Sequence, residues 1–145
     1  MKAHSNRWRL PFAAVIMYMA STAVASDAQA QGFGASAAVA GDVMFVSEPQ
    51  NQSTPGYVHL FQRAGDVWTE AGRLEAPDAE PGDGFGGAVD AHGGTMVTAA
   101  YSALDGAGEA YVFSRQADGS WALEQRLTPA DATEGDAFGV ALALD

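Results

Sequence analysis

The chain of 145 residues contains no cysteine and sets 18 acidic residues against seven lysines and arginines, for a formal net charge of −11. Disulfides, thiol catalysis and a cysteine-borne lipid anchor are therefore excluded, and an acidic surface repels phosphate backbones and acidic membranes, so neither is an expected partner. The length suits one domain, which without disulfides must be held by its core alone.

The chain opens on Lys2, Arg7 and Arg9, continues through an almost wholly apolar run from Leu10 to Ala25, and reaches Ala28-Gln29-Ala30, an A-x-A pattern; Ala23-Val24-Ala25 is a second such site. A basic head, a short apolar stretch and a small-residue exit predict a secretory signal peptide over residues 1–30. The run is shorter than the roughly 20 residues a spanning helix needs; an uncleaved anchor is the alternative reading. The product is then secreted, extracellular or held at the cell surface, with the periplasm as the other compartment, and the leader and alanine-rich acidic composition read as bacterial.

Residues 31–145 form a second region, built from repeats: 32–83, 84–136 and a partial unit at 137–145. Gly32-Phe33-Gly34 returns as Gly84-Phe85-Gly86 and as Ala137-Phe138-Gly139, with the phenylalanines 52 and 53 residues apart. Phe61 and Phe113, Arg63 and Arg115, Trp68 and Trp121, and Arg73 and Arg126 keep the same period. In chain order the first unit predicts strands at Ala35–Ala40, Val43–Ser47, Tyr57–Arg63 and Val67–Leu74. The second predicts Gly87–Ala91, Thr95–Ala99, Glu109–Arg115 and Trp121–Leu127. Alternation marks the third strands (Tyr57-Val58-His59-Leu60-Phe61 and Ala110-Tyr111-Val112-Phe113), and the intervening turns are rich in Gly, Asp and Asn. Four short strands per unit of about 50 residues is the pattern of β-propeller blades. The expected fold is all-β: two blades of four-stranded antiparallel sheet and the first strand of a third, an incomplete propeller.

Phe85-Gly86, His92-Gly93-Gly94, Met96-Val97-Thr98 and Gly108-Glu109-Ala110-Tyr111-Val112-Phe113, together with their first-unit counterparts, resemble the FG-GAP repeats of integrin alpha-like propellers. The likeness covers residues 32–145, with a degraded Gly-Ala-Pro element at Ser47-Glu48-Pro49 and Ala99-Ala100-Tyr101. It implies a non-catalytic module for binding or adhesion, whose partner is an unknown protein or glycan. The alternative is the accessory propeller of a larger extracellular enzyme, a hydrolase whose catalytic part is missing from this chain. Propellers close on about 4–8 blades, so two blades predict either a fragment of a longer protein, completed by further blades in cis, or self-association.

Phe33, Gly34, Phe85, Gly86, Phe138 and Gly139 read as inter-blade packing, with rings in the gaps and glycines where backbones approach. Phe61 and Phe113 read as core of the third strands. Trp68 and Trp121 read as covers over their own blade's core, and the repeated arginines as structural partners of local acids. The loops before the second and third FG pairs hold Asp78, Glu80 and Asp83, then Asp131, Glu134 and Asp136. The resemblance brings calcium to mind there, since calcium takes about six to eight oxygens. Neither loop has the alternating acidic spacing, and solvated loops are the preferred reading; no cofactor is expected. There is no catalytic expectation either: His59 and His92 read as incidental, no G-x-S-x-G elbow occurs, and Asn51-Gln52-Ser53 fits the N-x-S glycosylation pattern only for a eukaryotic pathway.

Overall fold

The computed structural model describes residues 32–49 and 55–145; the expected leader, both cleavage sites and Asn51-Gln52-Ser53 lie outside the described residues. The described chain is two antiparallel sheets. The first contains β1 (Ala37–Ala40), β2 (Val43–Glu48), β3 (Tyr57–Ala64) and β4 (Val67–Leu74). The second contains β5 (Phe85–His92), β6 (Thr95–Ala100), β7 (Glu109–Arg115) and β8 (Trp121–Leu127). Each sheet runs in chain order, β1-β2-β3-β4 and β5-β6-β7-β8, as hairpin connections dictate. No helix among the described residues is long and apolar enough to cross a membrane.

The repeat extends to irregularities. Between β3 and β4 the register slips at Leu60/Phe61, leaving Ala71 unpaired; between β7 and β8 it slips at Val112/Phe113, leaving Glu124 unpaired. Both bulges fall at equivalent positions and bend the outer strand over the core.

One hydrophobic core spans both sheets. Phe45 and Val58 of the first sheet and Phe85, Met96, Tyr111 and Phe113 of the second belong to the same buried cluster. Strand β5 touches β1, β2 and β3, so the two sheets stack through the innermost strand of the second. A smaller cluster of Val97, Ala99 and Ala110 lies on the far face of the second sheet, covered by Phe138, Leu142 and Leu144.

Four features differ from the sequence expectations. Phe85-Gly86 lies inside β5, because Phe85 pairs with Ala100 and the chain bulges before Val89 pairs with Thr98. The Thr98 hydroxyl donates to the Ala88 carbonyl (2.9 Å) and closes that bulge. The expected first strand of the third unit is absent: residues 137–145 adopt turn and irregular backbone. In the two blades the first strand is laddered by the second, and residues 137–145 have no such strand beside them. A helical turn, α1 (Ala103–Gly106), precedes β7, with Leu104 (φ 55°) and Asp105 (φ 59°) left-handed. Finally, Trp121 reaches beyond its own blade, meeting Phe45 edge-on with ring centroids 4.9 Å apart.

Candidate functional site

The register of β7 against β8 sets Tyr111 opposite Arg126. Glu109, two residues before Tyr111, projects from the same face of β7. The residue is 6% exposed, and its carboxylate is saturated with donors. The Tyr111 hydroxyl donates at 2.7 Å, Arg126 at 3.1 and 3.2 Å, and the Thr128 hydroxyl at 3.0 Å. Arg126 also pairs with Asp78, which the loop after β4 brings across from the first blade. Its guanidinium stands 5.7 Å from the Tyr111 ring.

Burial alone would raise the Glu109 pKa, but the hydrogen bonds from Tyr111, Arg126 and Thr128 and the charge of Arg126 together hold it below its ordinary value. Tyr111 is displaced upward by burial, by its bond to Glu109 and by the nearby carboxylates. The phenol is therefore held as a donor, and the network braces β7 against β8.

Over this floor lies a cleft of about 540 Å³ between the β4–β5 loop and α1. Its rim includes Asp78, Glu80, Asp83, Ser102, Leu104 and Asp105. The side chain of Leu104 is exposed, as are Glu80 and Asp105. The cleft is thus acidic at its mouth, with Leu104 and Pro81 presented to solvent and one cation, Arg126, at its base.

The loop acids considered for calcium separate. Asp78, Glu80 and Asp83 line the cleft, but the Asp83 carboxylate accepts the Glu80 amide at 2.9 Å. Asp136 accepts both the Thr133 amide (2.7 Å) and its hydroxyl (2.9 Å), the same closure one repeat later. Asp131 and Glu134 are exposed. Among the described residues no three His, Asp or Glu side chains are placed to hold a metal ion.

The aromatic positions take different stations. Phe85 is buried, with edge contacts to Tyr111 (5.3 Å) and Phe113 (6.3 Å). Phe33 is 38% exposed and meets His59, the counterpart of Tyr111, at 5.2 Å. Phe138 packs on the far face of the second sheet. Phe113 is buried, whereas Phe61 and Trp68 are half-buried. His59 is not incidental: its Nε2 lies 2.7 Å from Glu48 and its Nδ1 3.1 Å from Glu70.

The arginines do not share one pairing. Arg115 reaches Asp42 in the other blade at 2.8 Å. Arg63 lies 3.9 Å from Asp66 and 5.8 Å from the Trp68 ring. Arg73 covers the Tyr57 ring at 4.1 Å. Local acids repeat less faithfully than the arginines, which is why the expectation of common partners fails. The roles of Glu109, Thr128, Leu104 and Asp105 were not foreseen; alternation in β7 and the Tyr111–Arg126 register were the available signal for Glu109.

Two four-stranded sheets that share strand order and the outer-strand bulge and stack through one core define a repeat protein of propeller-blade type. Residues 68–113 match the family model described as FG-GAP repeat, a window running from β4 of the first blade into β7 of the second. Over that window the chain carries an FG-GAP repeat. No curated protein matches it.

Proposed function

We propose that this chain is an exported, non-catalytic binding module and that the acidic cleft at the blade junction receives its ligand, a protein or glycan group bearing cationic or hydroxyl functions. The reading is carried by one contrast. The floor of the cleft is a saturated brace of Glu109, Tyr111, Arg126 and Thr128, while Glu80, Leu104 and Asp105 on its rim are exposed. A locked floor under free rim groups suits recognition. Proton transfer needs a group that can change state near neutral pH, and Glu109 and Tyr111 are displaced away from it in opposite directions.

The test is binding of the full chain to glycan and protein arrays, followed by the charge reversals Glu80→Lys and Asp105→Lys together. The expected outcome is saturable binding that weakens at least about tenfold, which is about 1.4 kcal/mol, with the melting temperature unchanged. Absence of any array ligand, or turnover of a bound substrate, rejects the reading. Export is tested separately by sequencing the amino terminus of chain recovered outside the cytoplasm, expected to begin at Gln31.

A further inference from the structure

Phe33-Gly34, Phe85-Gly86 and Phe138-Gly139 are one element with unequal surroundings. At Gly86 a Cβ would stand 2.8 Å from the Tyr57 carbonyl oxygen and 3.5 Å from the Ser47 Cβ, both in the first blade. At Gly139 a Cβ would stand 2.5 Å from the Ala99 Cβ and 3.5 Å from the Glu109 carbonyl oxygen. Ala99 and Glu109 occupy the second-blade positions of Ser47 and Tyr57, so each blade offers the same seat to the FG element that follows it. On the second blade the seat is closed by the Ala137 and Phe138 amides, which donate to the Gly106 and Ala107 carbonyls at 2.8 Å each. The Leu144 amide adds a bond to Asp90 at 2.7 Å. At Gly34, nothing among the described residues lies within 4 Å of a Cβ, and Val39, on the same segment, is 56% exposed.

We propose that the seat on the second blade is an assembly site for the Gly32–Ala40 segment of a second copy of this chain, and that residues 137–145 hold it closed in the single copy. Gly32-Phe33-Gly34-Ala35 and Ala137-Phe138-Gly139-Val140 offer the same ring flanked by small residues. The stacking already seen between the two blades supplies the geometry. Charge fits as well. Arg73 occupies the position of Arg126, and Asp131 that of Asp78, so a stacked second copy brings Arg73 to Asp131 as Arg126 meets Asp78 within one chain. Among the described residues Arg73 pairs with no acid. The contact is heterologous, and such contacts build rings or open chains.

Gly139→Val in the full chain sets a side chain against Ala99 at a left-handed φ of 91° and unseats the segment. Light scattering after size exclusion is expected to give one copy for the parent, and at least twice that mass, rising with concentration, for G139V. Adding Gly34→Val keeps the unseated segment but spoils the donor; the double variant should return to one copy. An excess of peptide 32–40 should do the same to G139V. A chain ending at Asp136 removes the segment outright and must associate like G139V. If that chain and G139V both stay as single copies, or if association survives Gly34→Val and the peptide, the proposal is overturned, the latter result marking non-specific contact of bared apolar surface.

Discussion

At Gly86 the first blade approaches so closely that a methyl group has nowhere to go: the obstacle is the Tyr57 carbonyl, backbone that cannot swing aside, and φ is 88°. Gly41, in the β1–β2 turn, shares the left-handed conformation (φ 63°) but faces open space. Gly41→Ala is therefore expected to cost about 1 kcal/mol, the left-handed penalty alone. Gly86→Ala adds overpacking and should cost about 3 kcal/mol. Urea midpoints compare them, and equal losses would show that blade contact at Gly86 counts for nothing. The Glu109 brace makes a prediction of a different kind. A carboxylate held below its unfolded value contributes stability that is complete above that value and is lost as pH falls through the folded one. Glu109 is held below its ordinary 4.5, and Asp42, hydrogen-bonded first by Arg115 and then by Gln62, below its ordinary 3.8. Stability should thus be level near neutrality and decline as pH drops below about 4.5. Glu109→Gln should lower the urea midpoint at pH 7 and flatten that acid decline; a variant with the parent's full acid slope would exclude Glu109 as its source.

Among the elements, the outer strands β4 and β8 show how equivalent residues acquire unequal work. Trp121 on β8 lies edge-on to Phe45 of the neighbouring blade, whereas Trp68 on β4 has Arg63 beside its ring at 5.8 Å. Trp121→Ala should cost about 3 kcal/mol, the low end for a large aromatic because the ring is only half-buried. Trp68→Ala should cost about 1 kcal/mol, little more than the cation–π contact. Thermal melts of the pair decide it, and equal losses would remove the inter-blade role of Trp121. The strands themselves were legible in the sequence because alternation in β3 and β7 and glycines at the hairpin turns are local properties of the chain. What a strand meets on its open face is not local. The reach of Trp121 across the junction, the passage of Arg115 to Asp42 and the burial of Glu109 follow from how two sheets stack. Within the cleft, the acids of the β4–β5 loop were visible as a run, but Leu104 and Asp105 were not, because left-handed residues without glycine carry no periodic signal. The third-unit segment misled for a related reason: its composition is that of a strand, but a strand also needs a neighbour's carbonyls and amides.

Neither sheet of the molecule owns a core. Phe45 is fully buried, yet its partners include Trp121 and the cluster that contains Phe85 and Met96. The Asp42–Arg115 and Asp78–Arg126 pairs cross the same junction, as does the Val89 amide, which donates to the Ser36 hydroxyl at 3.2 Å. In repeat proteins stability is approximately a sum of unit and interface contributions, and units weak in themselves fold only together. Each blade here is a thin sheet with one face against the other, so the interface contribution dominates and the two blades should melt as one. Phe45→Ala tests this directly. Removing a buried phenylalanine costs about 3–5 kcal/mol, and if the blades are coupled the loss must appear in both. Hydrogen exchange is the measurement: amides of β6 and β7, in the blade that was not altered, should lose protection by the same factor as those of β2 and β3. A chain in which β2 and β3 exchange faster while β6 and β7 keep their parental protection would show that the second blade stands alone, and that the shared core is contact without cooperativity.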